Sequence, residues 1–412
     1  MPRLAKILTA GTCLATAWLC AAATSSAQQV WISADNRQVQ TGPVNVEATL
    51  QATEVEAFDV TTDATGNAYD AAVGGASLEI DASQRVEGDV SNFSAALITG
   101  SAAYGAVTTT AHGNAGNALV SEGNLRGRIE QTVDSFGTVI ADSRLVQDGG
   151  GAIGDAGVTT TAVANNQYVG VTGGWNETDT VQRSNASVVA DGSALVERVD
   201  SQLALVSTAV GNNLEAATDE GSTYVGATQS QTGESVLGAA FVTAPYAQDV
   251  TAVATASGNN LVASNAYGPL TMDVRQEADS YVRAQTGVNV GDYGAVTATA
   301  AGVGNAIVAS TLGAETTFTA SQVSSGGVDA LVDFTGGGGY DSVVQATAHG
   351  NSLSVAAWGD GATGFDATSS QVNTDEVRAV ANSTVRGGSR SAVVSAGAVG
   401  NSASYYVQGN GR

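Results

Sequence analysis

The two histidines of the chain sit in matching contexts, His112 in "VTTTAHGNA" (107–115) and His349 in "ATAHGNS" (346–352). An imidazole in such a setting could act as a general base or a metal ligand, provided a partner side chain holds it. A third group with possible chemistry is Asp341 in "GGGGYDSVV" (336–344), which fits the nonapeptide of calcium-binding β-rolls. Those sites are built by tandem copies whose adjacent turns share each ion. The equivalent stretches "VGDYGAV" (290–296), "AIGDAGV" (152–158) and "SAAYGAV" (101–107) do not repeat the consensus. No metal or cofactor is therefore expected, and Asp341 is the only metal candidate. There is no Gly-x-Ser-x-Gly elbow, P-loop or His-Glu-x-x-His, and no acid keeps the same place throughout. The chain reads as non-enzymatic, with no catalytic residue to name. Trp31, Trp175, Trp358, Tyr405 and Tyr406 could stack on sugar rings, but they share no column and read as isolated packing.

What must position these residues is a repeat. The motif around His112 recurs as "VTTDATGNA" (60–68), "VTTTAVANN" (158–166), "LVSTAVGNN" (205–213), "AVATASGNN" (252–260), "ATAAGVGNA" (298–306), "VQATAHGNS" (344–352) and "VSAGAVGNS" (394–402). It ends on Asn67, Asn114, Asn165, Asn212, Asn259, Asn305, Asn351 and Asn401, at intervals of 47, 51, 47, 47, 46, 46 and 50. A second marker is phased to it. Gln84, Gln131, Gln182, Gln229, Gln276 and Gln322 each follow the preceding asparagine by 17 residues; Gln371 follows by 20, and Gln38 opens the series. The histidine column then reads Thr65, His112, Val163, Val210, Ser257, Val303, His349 and Val399. A position that accepts valine, threonine or serine is a packing position, so the imidazoles read as structural.

Positions seven, five and three before the asparagine are small or apolar with polar residues between, the period of a strand with one packed face. After the asparagine the alternation changes phase. Gly-Asn therefore reads as a bend, because glycine tolerates positive φ and asparagine visits the left-handed region. The chain reads as all-β: an elongated β-solenoid or β-helix of eight units of about 47 residues. Stacked strands lie about 4.8 Å apart, close enough for identical Asn or Gln side chains to form amide ladders. Each unit could be one turn or two turns of about 23 residues; two would give a rod of roughly 75 Å. An eight-bladed β-propeller is the alternative.

Composition sets further bounds. Residues 1–27 read as a secretory signal peptide, with Arg3 and Lys6 before an apolar stretch and small residues before Gln28. Residues 28–412 read as a single repetitive β domain. Both cysteines, Cys13 and Cys20, and the only lysine, Lys6, lie in the leader. Its removal takes the formal net charge from −24 to −26, since Arg3 and Lys6 leave with it. A polyanion of this kind disfavours nucleic acid and anionic lipid, and suits a basic polymer.

An exported, thiol-free chain with Val-Thr-x-x-Ala-x-Gly-Asn-Ala and phased glutamines resembles the curlin-type, amyloid-related adhesins. It is most similar to the holdfast anchor proteins of stalked alphaproteobacteria. The resemblance implies a surface protein that tethers an adhesive polysaccharide to the cell envelope and self-assembles into large multimers. It also implies export with the help of an outer-membrane lipoprotein pore and work beside a small companion anchor protein. A calcium-dependent surface adhesin and a polysaccharide-cleaving β-solenoid enzyme are the other two function classes.

Overall fold

The computed structural model describes residues 30–134, 137–313, 315–359 and 364–409. The leader and its cleavage site lie outside them. The first unit contributes three strands: a Gln strand (Trp31–Gln40), a middle strand (Val44–Ala52) and an Asn strand (Val55–Gly74). Every strand pairing is parallel and joins like to like between successive units. Gln38 lies opposite Gln84, Val44 opposite Val90, and Asn67 opposite Asn114. The fold is an all-β solenoid.

One unit makes one turn. The two halves of a unit do not stack on each other; they face each other across the core. Thr62 in an Asn strand meets Ser94 in a middle strand at 2.6 Å, and Asn67 reaches the carbonyl of Arg85 at the end of a Gln strand at 2.9 Å. The Asn strands thus form one layer, and the Gln and middle strands, laid end to end, form the other. Eight turns at the parallel-strand spacing give a stack of about 35 Å, not the 75 Å of a two-turn unit. The like-to-like parallel register also replaces the propeller alternative, whose blades are separate four-stranded sheets.

The inward residues of the Asn strand change parity midway. Phe58, Val60, Thr62 and Ala64 are buried, then Asn67 and Tyr69. Apolar residues on either side of this switch belong to different clusters. Ala64, Val86 and Val90 pack with the middle strands, whereas Tyr69, Ile80 and Ala82 pack with the Gln strands. A valine fills the same inward place in all eight middle strands: Val44, Val90, Val139, Val188, Val236, Val282, Val328 and Val377. In three units the middle and Asn strands run through as single strands of 32 residues, Ser235–Ala266, Tyr281–Leu312 and Val328–Gly359, and in the last unit they are separate again.

The glycine before each asparagine is not left-handed, and the strand continues through it. Its role is clearance. A Cβ on Gly113 would lie 2.5 Å from the Ala164 carbonyl oxygen of the next turn and 2.8 Å from Val133, and a Cβ on Gly258 would lie 2.6 Å from the Gly304 oxygen. Ala164 breaks the column opposite Ser184, and nothing in the structure explains it, since Gly258 faces Ala278 and Gly304 faces Ser324. The left-handed residue lies further on, at the corner between the Asn strand and the next Gln strand. There Gly75, Glu122, Gly173, Glu220, Tyr267 and Gly313 all have φ between 56° and 84°. Three of the six carry side chains, so the corner is held by the strands it joins.

One turn per unit has a direct consequence. Deleting residues 166–212, one whole unit, is expected to leave a protein with the same β-sheet circular dichroism and a cooperative melt. Deleting half a unit is expected to abolish that melt, because it brings Asn strands against Gln strands. Equal tolerance of both deletions would contradict this register.

Candidate functional site

The asparagines form an unbroken column. Asn67 Nδ2 donates to Asn114 Oδ1 at 2.9 Å, and the same bond links Asn114, Asn165, Asn212, Asn259, Asn305, Asn351 and Asn401 in turn, at 2.7 to 2.8 Å. The second hydrogen of each amide down to Asn351 goes across the core to a backbone carbonyl. Asn212 donates to Ser230 O at 2.9 Å and Asn259 to Glu277 O at 2.8 Å. These acceptors are the residues that follow Gln229 and Gln276.

The glutamines form a second column of opposite polarity. Gln84 Nε2 donates back to Gln38 Oε1 at 2.9 Å, and the bond repeats through Gln131, Gln182, Gln229, Gln276, Gln322 and Gln371. Each also donates to the carbonyl that follows an asparagine, as Gln229 does to Asn260 O at 2.9 Å. The columns are therefore interlocked across the two layers. Asparagine donors point to the C-terminal end of the stack and glutamine donors to the N-terminal end. Internal members such as Asn212 and Gln182 are fully buried, and each donor hydrogen and acceptor oxygen in the column has a partner. One bond extends the network over two turns. Tyr69 Oη donates to Gln167 Oε1 at 2.7 Å, passing Gly116, where a Cβ would lie 2.4 Å from the ring. Burial pushes the Tyr69 hydroxyl pKa far above its ordinary value.

The other sequence candidates lie apart from each other. His112 is stacked between Thr65 and Val163, and His349 between Val303 and Val399, five turns away along the stack. Nδ1 of each is buried without a hydrogen-bond partner. Burial holds the His112 pKa below its ordinary value, with Asp63 pulling weakly the other way. Asp341 is paired with Arg390, whose guanidinium lowers its pKa. No group of three or more His, Cys, Asp or Glu side chains that could hold a metal ion occurs among the described residues. The aromatics are less isolated than their spacing implies. Trp31 lies 5.8 Å from Trp175 with Arg126 over its ring, and Trp358 and Phe365 lie 6.1 Å from Tyr406 and Tyr405.

The outer face of the Gln-strand sheet carries a groove of about 470 Å³ that sequence reasoning missed. Arg128, Asp179, Tyr224, Asp273 and Arg275 line it, and Gly226 forms its floor. Asp179, Gly226 and Asp273 occupy one column in three successive turns. A Cβ on Gly226 would meet Asp179 Oδ1 at 2.0 Å, so the glycine makes the notch that the carboxylate leans into. An aromatic ring flanked by both signs of charge suits a hydroxylated or amino-substituted ring. The only sequence signal was a glycine whose counterparts one unit either side are both aspartates.

Interlocked amide columns inside two parallel β layers define a repeat protein of the β-solenoid class. The chain belongs to the holdfast attachment protein D family (HfaD), whose family model matches residues 56–327, or 272 of the 412 residues. Membership carries a role in holdfast attachment and a place at the cell surface or envelope. No curated protein and no solved structure matches the chain.

Two outcomes follow from this geometry. Asn212→Ala leaves a donor on Asn165 and acceptors on Asn259 and Ser230 unmatched in the core, so it is expected to cost about 3 kcal/mol or more in urea unfolding. Asn401→Ala, at the exposed end, is expected to cost under about 1 kcal/mol. His112 has a depressed folded pKa, so the stability linked to it is present above the unfolded value near 6.5. That stability is lost as the pH falls below it. His112→Val is expected to flatten the acid limb of the stability curve below about pH 6.5, measured by urea midpoints.

Proposed function

We propose that the protein is a non-enzymatic anchor that tethers an adhesive exopolysaccharide, the holdfast, to the cell envelope. The observation that carries this reading is the family match over residues 56–327. The fold is compatible with it. A stack whose turns are cross-linked by buried amides is stiff, and its outer faces display regular columns of side chains to a polymer. The anchor is exported by a cleaved leader, sits at the outer membrane, and works as an amyloid-like multimer beside a companion anchor protein and a lipoprotein pore.

Charge supplies the contact in this proposal. A mature chain of net charge −26 attracts a partly deacetylated, hence cationic, amino-sugar polymer. The groove around Tyr224, with Asp179 and Asp273, offers a ring platform with acids on either side. The calcium-dependent adhesin loses its one candidate ligand, since the Asp341 carboxylate is paired with Arg390. A strain lacking the protein is expected to shed holdfast into the medium and fail to stay attached; normal attachment would refute the anchor. Binding of the purified chain to a partly deacetylated amino-sugar polymer is expected to weaken steadily with added salt, and salt-independent binding would refute the charge contact.

A further inference from the structure

We propose that the two ends of the solenoid are complementary faces, and that a second copy of this chain stacks head to tail with its first turn continuing the last turn of its neighbour. This deepens the multimeric part of the anchor reading and rests on it for its biological use, not for its geometry.

The polarity of the columns carries the inference. Among the described residues, Asn401 receives a hydrogen bond from Asn351 but donates none of its own. Gln371 donates to Gln322 and Ser402, and its oxygen accepts nothing. The C-terminal face therefore offers an asparagine donor beside a glutamine acceptor. At the other end Asn67 donates to Asn114 and Arg85 while its oxygen accepts nothing, and Gln38 uses one amide hydrogen on Ala68. The N-terminal face offers an asparagine acceptor beside a glutamine donor. Placing Asn401 below a copy's Asn67 brings Gln371 below Gln38, and both columns run on without a fault.

Strand lengths and packing agree with that register. The last turn has strands of 9, 9 and 19 residues, at Phe365–Asn373, Val377–Val385 and Ser391–Gly409. The first turn has strands of 10, 9 and 20 residues. Among the described residues all six are paired on one side only, so each end presents a full set of backbone donors and acceptors. The valine column continues too, with Val377 meeting Val44. Among the described residues no polar turn covers the outer edge of the first or the last turn, the kind of cap that keeps stacked-repeat proteins apart in solution. Val394, inward by register, is 48% exposed where its counterpart one turn inside, Val344, is 0% exposed. Tyr405 is 41% exposed opposite Val355 at 1%. These apolar groups lack only one more turn.

The test blocks one end at a time in the chain beginning at Gln28. Val394→Lys puts a charge into the C-terminal face, and Ile32→Lys puts one into the N-terminal face. Wild type is expected to form a concentration-dependent series of multiples of the monomer mass in analytical ultracentrifugation. Each variant alone is expected to be monomeric, and their mixture to give a one-to-one dimer of twice the mass and nothing larger. A homodimer of either variant would overturn head-to-tail pairing in favour of like ends meeting. Multimers persisting in both variants, or a wild type that stays monomeric, would also overturn it. If circular dichroism shows that a lysine unfolds a terminal turn, Asn401→Asp and Gln38→Glu remove the two end donors at constant shape and take the same outcomes. A chain carrying both blocks, returned to cells lacking the protein, separates this from the anchor reading. Normal attachment with a monomeric chain would remove multimerisation from the anchor and leave the end pairing intact.

Discussion

A primary amide buried in a protein core has two hydrogens and an oxygen to satisfy, and leaving any of them bare costs about 1–3 kcal/mol. In this solenoid the partner of each amide is an identical side chain one turn away, plus a carbonyl across the core. That solution works only if every turn brings the same residue to the same place at the strand spacing. The rest of the structure follows from it. The units must be of one length along their strands, the strands must pair in parallel and in register, and the residue before each asparagine must leave room for the carbonyl of the next turn.

Variation is pushed to where the amides do not feel it. The third unit is longer, with 51 residues separating Asn114 from Asn165, yet those asparagines bond at 2.8 Å. Gln84 to Gln131 spans 47 residues and Val90 to Val139 spans 49, so part of the extra length lies at the corner between Gln and middle strands. The rest lies at the next corner, where Gly149 and Gly150 take positive φ and let the chain loop outward. Outer faces vary as freely. Position 226 is glycine between two aspartates, and the groove it opens exists because the columns beneath do not move.

The repeat, its eight units and both amide markers were legible because identical residues at fixed intervals survive any uncertainty about fold. Parallel stacking was legible because only that arrangement puts like on like. How many strands fill a turn was not, since an interval between markers does not say whether the two halves of a unit stack or face each other. The glycine before asparagine invited a left-handed reading from its residue type; its function depends on a carbonyl one turn further along. The corner that is left-handed was hidden because Glu122, Glu220 and Tyr267 occupy it. The valine column of the middle strands was readable in principle, but valine is too common in this chain to stand out without the register. The family was legible in the motif together with the phased glutamines, while the Tyr224 groove needed four turns to be assembled first.

The central claim is that both amide columns are continuous and interlocked across one turn per unit. It is tested most directly by hydrogen exchange of side-chain amides in a chain labelled with nitrogen-15 at asparagine and glutamine. The account predicts that the internal members, Asn114 to Asn305 and Gln84 to Gln322, exchange as slowly as the most protected backbone amides, while Asn401 exchanges at the rate of an exposed amide. Uniformly fast exchange along either column would contradict it.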